Sequence, residues 1–118
     1  MRIEERVIDD VVVVKIHGDI ILNGPGPALA ERVRSLLEQD RHCIVLDLGD
    51  VRYVDSGGIG ELIESFSAAK NRAGAIKLAR VTRRLNDLLV VTKLLNVFEC
   101  FDTEGEAVES FGTRVAAR

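Results

Sequence analysis

Asp55-Ser56-Gly57-Gly58 sets a carboxylate, a hydroxyl and two residues without bulk side by side. Ahead of it, Val51 to Val54 reads as a short extended segment, and behind it apolar residues recur at helical spacing, so Ser56 falls where a strand hands over to a helix. Two roles fit a serine there. Its oxygen can accept from the first free backbone amides of the helix as an N-cap. Alternatively, it is a site of modification: a phosphate at the positive end of a helix meets unpaired N–H groups and a favourable dipole. Gly57 and Gly58 favour the second role, because each is a poor helix former and neither shields Ser56. Phosphorylation adds about −1.5 to −2 charges at pH 7, so a protein surface docked against this helix would register it strongly. Asp55 could hold a metal, orient the hydroxyl for a kinase or complete the turn, and the turn role is the default.

Other chemistry finds little support. No glycine-rich loop ends in Lys-Ser or Lys-Thr, and Gly24-Pro25-Gly26-Pro27 carries prolines that remove N–H donors, so a nucleotide-hydrolysing P-loop is not expected. His17 and His42 lack partners at metal-ligand spacing and read as structural imidazoles; no metal site and no cofactor are expected. A serine hydrolase would place Ser56 in a Gly-x-Ser-x-Gly elbow, but position 54 is valine.

The elements that must carry Ser56 follow from periodicity. Ile3, Glu5 and Val7, then Val12, Val14 and Ile16, alternate as two strands joined at Asp9-Asp10. Residues 18–27 hold 3 glycines and both prolines and read as a loop around an apolar Ile20-Ile21-Leu22 centre, with one or two of these side chains exposed. A helix from Ala28 to about Asp40 shows Leu29, Val33, Leu36 and Leu37 on one face. Cys43 to Leu48 is nearly all apolar, as in a central strand. A second helix starts near Gly58, uses Ile59, Leu62, Ile63, Phe66 and Ala69, and closes by Gly74. Ala75 to Val81 is a strand, Thr82 caps a third helix that stops at Asn96, and Val97 to Phe101 is the last strand. Thr103 and Glu106 form a capping box for a final helix lined by Ala107, Phe111 and Val115, with residues 116–118 expected to fray. Strands alternating with helices after an opening hairpin define an α/β domain: a mixed sheet of about five strands with about four helices, over residues 1–118.

Composition agrees. At 118 residues, 47% hydrophobic and 30% charged, the chain is the size and polarity of one self-folding domain. No apolar run approaches the roughly 20 residues of a membrane-spanning helix. Met1 to Arg6 lacks the apolar stretch of a secretory signal, so a cytoplasmic location is expected. The formal charge of −3 gives no field favouring nucleic acid or an anionic membrane. Lys70, Arg72, Lys77, Arg80, Arg83 and Arg84 are read as solvated surface, and Cys43 and Cys100 as buried thiols.

Asp47-Leu48 followed by Val51-Arg52-Tyr53-Val54-Asp55-Ser56-Gly57-Gly58-Ile59-Gly60 resembles the signature of the sulphate-transporter and anti-sigma-factor-antagonist (STAS) domain. The order of elements is similar to that family's over nearly the whole chain. The resemblance implies a non-enzymatic anti-sigma factor antagonist in transcription regulation, with a phosphorylatable serine at Ser56. Its partners would be an anti-sigma factor that is also the serine kinase, bound by the unphosphorylated form so that the sigma factor is freed, and a serine phosphatase that resets the switch. The partner surface would gather Asp19, Ile20, Ile21, Asp55, Ser56, Gly57, Gly58, Gly60, Glu61 and Glu64. One departure stands out: after Gly18-Asp19-Ile20, antagonists often carry an aspartate where this chain has Ile21. It motivates an alternative, a non-phosphorylated structural STAS subunit of a stress-sensing assembly or of a membrane-transport ATPase complex. A small-ligand carrier, resting on the apolar loop alone, is a third.

Overall fold

The computed structural model describes residues 1–24, 26 and 28–112. Strands β1 (Arg2–Ile8) and β2 (Val11–His17) pair antiparallel with Ile8 opposite Val11. Asp9 and Asp10 between them take φ of 49° and 70°, the left-handed pair that a two-residue hairpin needs to match strand twist. Helix α1 (Leu29–Glu38), β3 (Cys43–Asp50), α2 (Ser56–Asn71), β4 (Ala75–Ala79), α3 (Arg83–Val91), β5 (Glu99–Phe101) and α4 (Glu104–Glu109) follow. The five strands lie in the order β1-β2-β3-β4-β5, and every pair after the hairpin is parallel.

That order dictates the layers. Right-handed crossovers that always step to the next strand in the same direction put all their helices on one face of the sheet. Leu29, Val33, Leu36 and Leu37 of α1, Ile59, Leu62 and Ala69 of α2, and Leu85 and Leu89 of α3 accordingly share one core with Val12, Val14, Ile16, Ile44, Leu46 and Leu48. The opposite face is left to α4, whose Ala107 and Val108, with Phe111 beyond it, cover Val11, Val13, Cys43, Val45 and Ala79. Central strand β3 is thus buried on both sides, as its apolar run predicts.

Several boundaries differ from expectation. Helix α2 begins at Ser56, not near Gly58. Strand β4 stops at Ala79 because Arg80 turns left-handed at φ 55°, and α3 ends at Val91, with Lys93 at φ 62°, short of Asn96. The last strand begins at Glu99; Phe98 before it is buried edge-on against Phe66, and this core contact outweighs strand propensity. Cys43 is buried, but Cys100 is exposed on the edge strand β5, where burial of its sulfur is only enough to push the thiol pKa up. Ile63 faces outward on α2. Val115 and residues 116–118 lie outside the described residues.

The basic cluster is also not uniform surface. Lys77 is buried: its Nζ donates to Ser110 Oγ at 2.8 Å and lies 4.3 Å from the Phe111 ring centre. Arg80 reaches back to β3, where its Nε donates to Asp47 Oδ1 at 2.8 Å. His17 pairs with Glu4 and lies 3.0 Å from Asp50, the structural role expected of it. No helix among the described residues is long and apolar enough to cross a membrane.

Candidate functional site

The first turn of α2 meets the loop after β2. Ile20 pairs with Val54 as a short parallel bridge: its N–H donates to the Tyr53 carbonyl at 3.0 Å and its carbonyl accepts from Asp55 N–H at 3.3 Å. The loop and the extended segment 51–54 are thereby extra rungs at the carboxyl ends of β2 and β3, the edge where ligand and partner sites gather in parallel sheets. The sequence reading therefore brings Asp19 to Leu22 and Asp55 to Gly58 together correctly.

The N-cap is Asp55, not Ser56. Asp55 has extended backbone, and its Oδ1 accepts from Gly58 N–H at 2.7 Å while its carbonyl accepts from Ile59 N–H at 2.9 Å. The same carboxylate accepts from Leu22 N–H at 3.2 and 3.3 Å, which ties the loop to the helix start. This gives physical content to the turn role expected of Asp55. Ser56 occupies the first helical position, exposed, with no hydrogen bond from its hydroxyl among the described residues. With Asp55 as the cap, the Ser56 hydroxyl does not serve the capping role expected as one of its two alternatives.

Gly57 and Gly58 answer to the loop as well as to Ser56. A Cβ on Gly57 would stand 2.4 Å from Leu22 Cβ, and one on Gly58 would stand 2.0 Å from the Ile20 carbonyl oxygen. They are glycine so that the loop can lie directly against the helix start. Gly60, by contrast, has nothing within 4 Å and marks open surface. Ile20 is buried, Ile21 half-buried against Gly24, and Leu22 is 64% exposed, so the apolar loop divides between core and surface as expected. Asp19 is exposed beside them.

Glu61 and Glu64 are occupied within the fold. Glu61 Oε1 accepts from Ala30 N–H at 2.8 Å, supplying from α2 the cap that Ala28 cannot give α1. Glu64 accepts from Arg34 Nη1 at 3.1 Å on exposed surface. The exposed face at this end is Ser56, Leu22, Asp19 and Gly60, joined by Tyr53, which is 52% exposed. Tyr53 is absent from the expected surface, and strand alternation gives no signal for it, since it would put Tyr53 on the same face as buried Val51. Among the described residues no group of three or more His, Cys, Asp or Glu side chains could hold a metal ion.

A mixed five-stranded sheet, three helices on one face, a fourth on the other, and a small-residue helix start presenting an exposed serine at one edge of the sheet define an α/β domain. The STAS domain model matches residues 2–107, and the chain belongs to the STAS domain family. It is 35% identical over 111 residues to an anti-sigma-B factor antagonist of Listeria monocytogenes, covering 90% of this chain and 91% of that one. The anti-sigma factor antagonist of Mycobacterium paratuberculosis has a similar fold, with TM-score 0.75 at 21% identity over 92% of each chain. The Bacillus cell fate determinant SpoIIAA in its phosphorylated form superposes with TM-score 0.70 at 17% identity, over 92% of this chain and 98% of that one.

Proposed function

We propose that this chain is a cytoplasmic anti-sigma factor antagonist, a binding and regulatory module and not an enzyme, switched by phosphorylation of Ser56. The observation that carries the reading is the exposed Ser56 hydroxyl at the first position of α2, unpartnered because Asp55 does the capping. The likeness to an anti-sigma-B factor antagonist supplies the partner class. In the unphosphorylated state Ser56, Leu22, Asp19 and Gly60 receive an anti-sigma factor that is also the serine kinase, which releases its sigma factor. A phosphate on Ser56 would find the Ser56 and Gly57 amides of the helix start, yet lie beside the Asp55 carboxylate. Docking is thus opposed by charge without disruption of the fold, and a serine phosphatase restores the binding state.

Intact mass after incubation with ATP, magnesium and lysate from the source organism tests the switch. The expected result is one phosphate on the wild type and none on Ser56→Ala. No phosphate on either overturns it in favour of a structural STAS subunit, the reading that half-buried Ile21 motivates by standing where antagonists often carry a carboxylate. That outcome would be accompanied by purification in a high-mass complex.

A further inference from the structure

A groove separates the extended segment 51–54 from α3, with a cavity of about 290 Å³ and walls that are mostly apolar. Buried Val51, Val54 and Leu85 form its floor, and Tyr53, Leu88 and Val91 its rim, Val91 being 77% exposed. The edge of 51–54 that bonds to Ile20 is spent in the bridge, so this groove adjoins the contact between loop and helix start and shares Tyr53 with the exposed face there. Small-molecule sites run from about 300 to 1,000 Å³. A cavity at the bottom of that range suits one or two protruding side chains better than an enclosed ligand.

The charges around it are unusual for a helix start. Arg52 and Arg84 line the groove, and Arg83 precedes Arg84 in the first turn of α3, which holds no acidic residue. Cations at a helix N-terminus oppose the dipole, so these arginines are not there for the helix. None of the three makes an ion pair among the described residues, whereas Arg6, Arg34 and Arg80 all do. Asp87 is the single acidic residue lining the groove among those described. On a chain of net charge −3, a local basic rim favours the approach of an acidic segment.

We infer that this groove docks an acidic, apolar-anchored segment of a partner protein, a Leu, Phe or Met side chain seating between Tyr53, Leu88 and Val91 while flanking carboxylates pair with Arg52 and Arg84. Guanidinium groups bind carboxylates in a two-pronged geometry that fixes the direction of the segment. The site does not depend on Ser56 or its modification.

Selection of a random dodecapeptide phage library on the immobilised chain, counter-selected on an R52E/R84E double variant, tests it without kinase or ATP. Enriched peptides should carry Asp or Glu around a large apolar residue and shift the amide signals of residues 51–54 and 83–91. As synthetic peptides they should lose about tenfold or more in affinity, about 1.4 kcal/mol, against R52E/R84E. Val91→Ser, at an exposed position that the fold tolerates, should weaken them as well. Exchange of the peptide carboxylates for lysines should restore binding to R52E/R84E. Raising salt from about 0.05 M to about 0.5 M should weaken the wild-type complex, because exposed ion pairs are screened. No enrichment, neutral or basic consensus peptides, equal affinity for the double variant, or shifts outside the groove would each overturn the inference. So would self-association of the free chain abolished by Val91→Ser, which would make the occupant a second copy.

Discussion

At the scale of single residues, the glycines of α2 divide into those the loop requires and one it does not. Gly58→Ala drives a methyl to 2.0 Å from the Ile20 carbonyl, a backbone atom fixed by its bond from Asp55 N–H. Overpacking of this kind costs about 1–3 kcal/mol, and the strain falls on the loop that carries Leu22. Gly60→Ala meets open space and replaces the most flexible residue in a helix with the best helix former, a gain of about 0.5–1 kcal/mol. Urea unfolding of the two variants should therefore move the midpoint in opposite directions; a Gly58→Ala protein as stable as wild type would show the loop is not pressed against α2. The sequence made this turn legible only in part. Aspartate and serine are equally good caps, so local preference cannot rank Asp55 against Ser56. The decision comes from Leu22 N–H, 33 residues earlier, which takes the Asp55 carboxylate.

At the scale of elements, the thin side of the sheet holds the charges that an apolar reading of β3 and β4 conceals. Asp47 is 1% exposed in the middle of β3, and Lys77 is buried in β4 under Phe111. In the sequence, Asp47 is passed over in a nearly apolar strand and Lys77 is taken as solvated surface, because their partners, Arg80 and Ser110, are 33 residues away. Glu104, at the start of α4, completes the group by interacting with Asp47 and pairing with Arg6. Burial pushes the Asp47 carboxyl up, but Glu104, the Gly49 N–H and Arg80 together outweigh it and hold Asp47 below its ordinary value. The Asp47 carboxylate, together with burial, raises Glu104 in turn, against the pull of Arg6. The signs oppose each other. Stability from Asp47 is present above the ordinary aspartate range and disappears as pH falls through its lowered value. Stability from Glu104 is full below the ordinary glutamate range and disappears as pH rises through its raised value. The stability of the wild type relative to Glu104→Gln should accordingly decline as pH rises through the Glu104 titration, an increment that the variant lacks. Urea midpoints of the two proteins across mildly acidic to neutral pH check this, and parallel pH profiles would remove Glu104 from the balance.

For the molecule as a whole, the mixed sheet was legible from strands alternating with helices after an opening hairpin, and chirality then leaves few options for strand order and layers. An opening hairpin and three helical crossovers, each stepping to a neighbouring strand, give one thick helical face and one face for the last helix. What periodicity could not reach were the stops, since Arg80, Lys93 and Phe98 end or displace elements through left-handed backbone and a ring contact. The same architecture predicts how far a phosphate on Ser56 is felt. Ser56 is exposed, and the residues behind it, Ile59 and Leu62, belong to a core shared with four strands, which resists displacement. A phosphate at a helix N-terminus contributes about 0.3–1 kcal/mol of stability, and repulsion from Asp55 opposes it, so the thermal midpoint should move by no more than a few degrees. Amide shifts should be confined to residues 19–24 and 55–60, with the Leu22 N–H, held by Asp55, among the most affected. Comparison of nitrogen–proton correlation spectra of the phosphorylated and unphosphorylated chain reads this directly. Changes spread through β4, β5 and α4 would mean that the switch works by rearranging the fold, and small local changes mean that it works by altering the charge of a surface that stays in place.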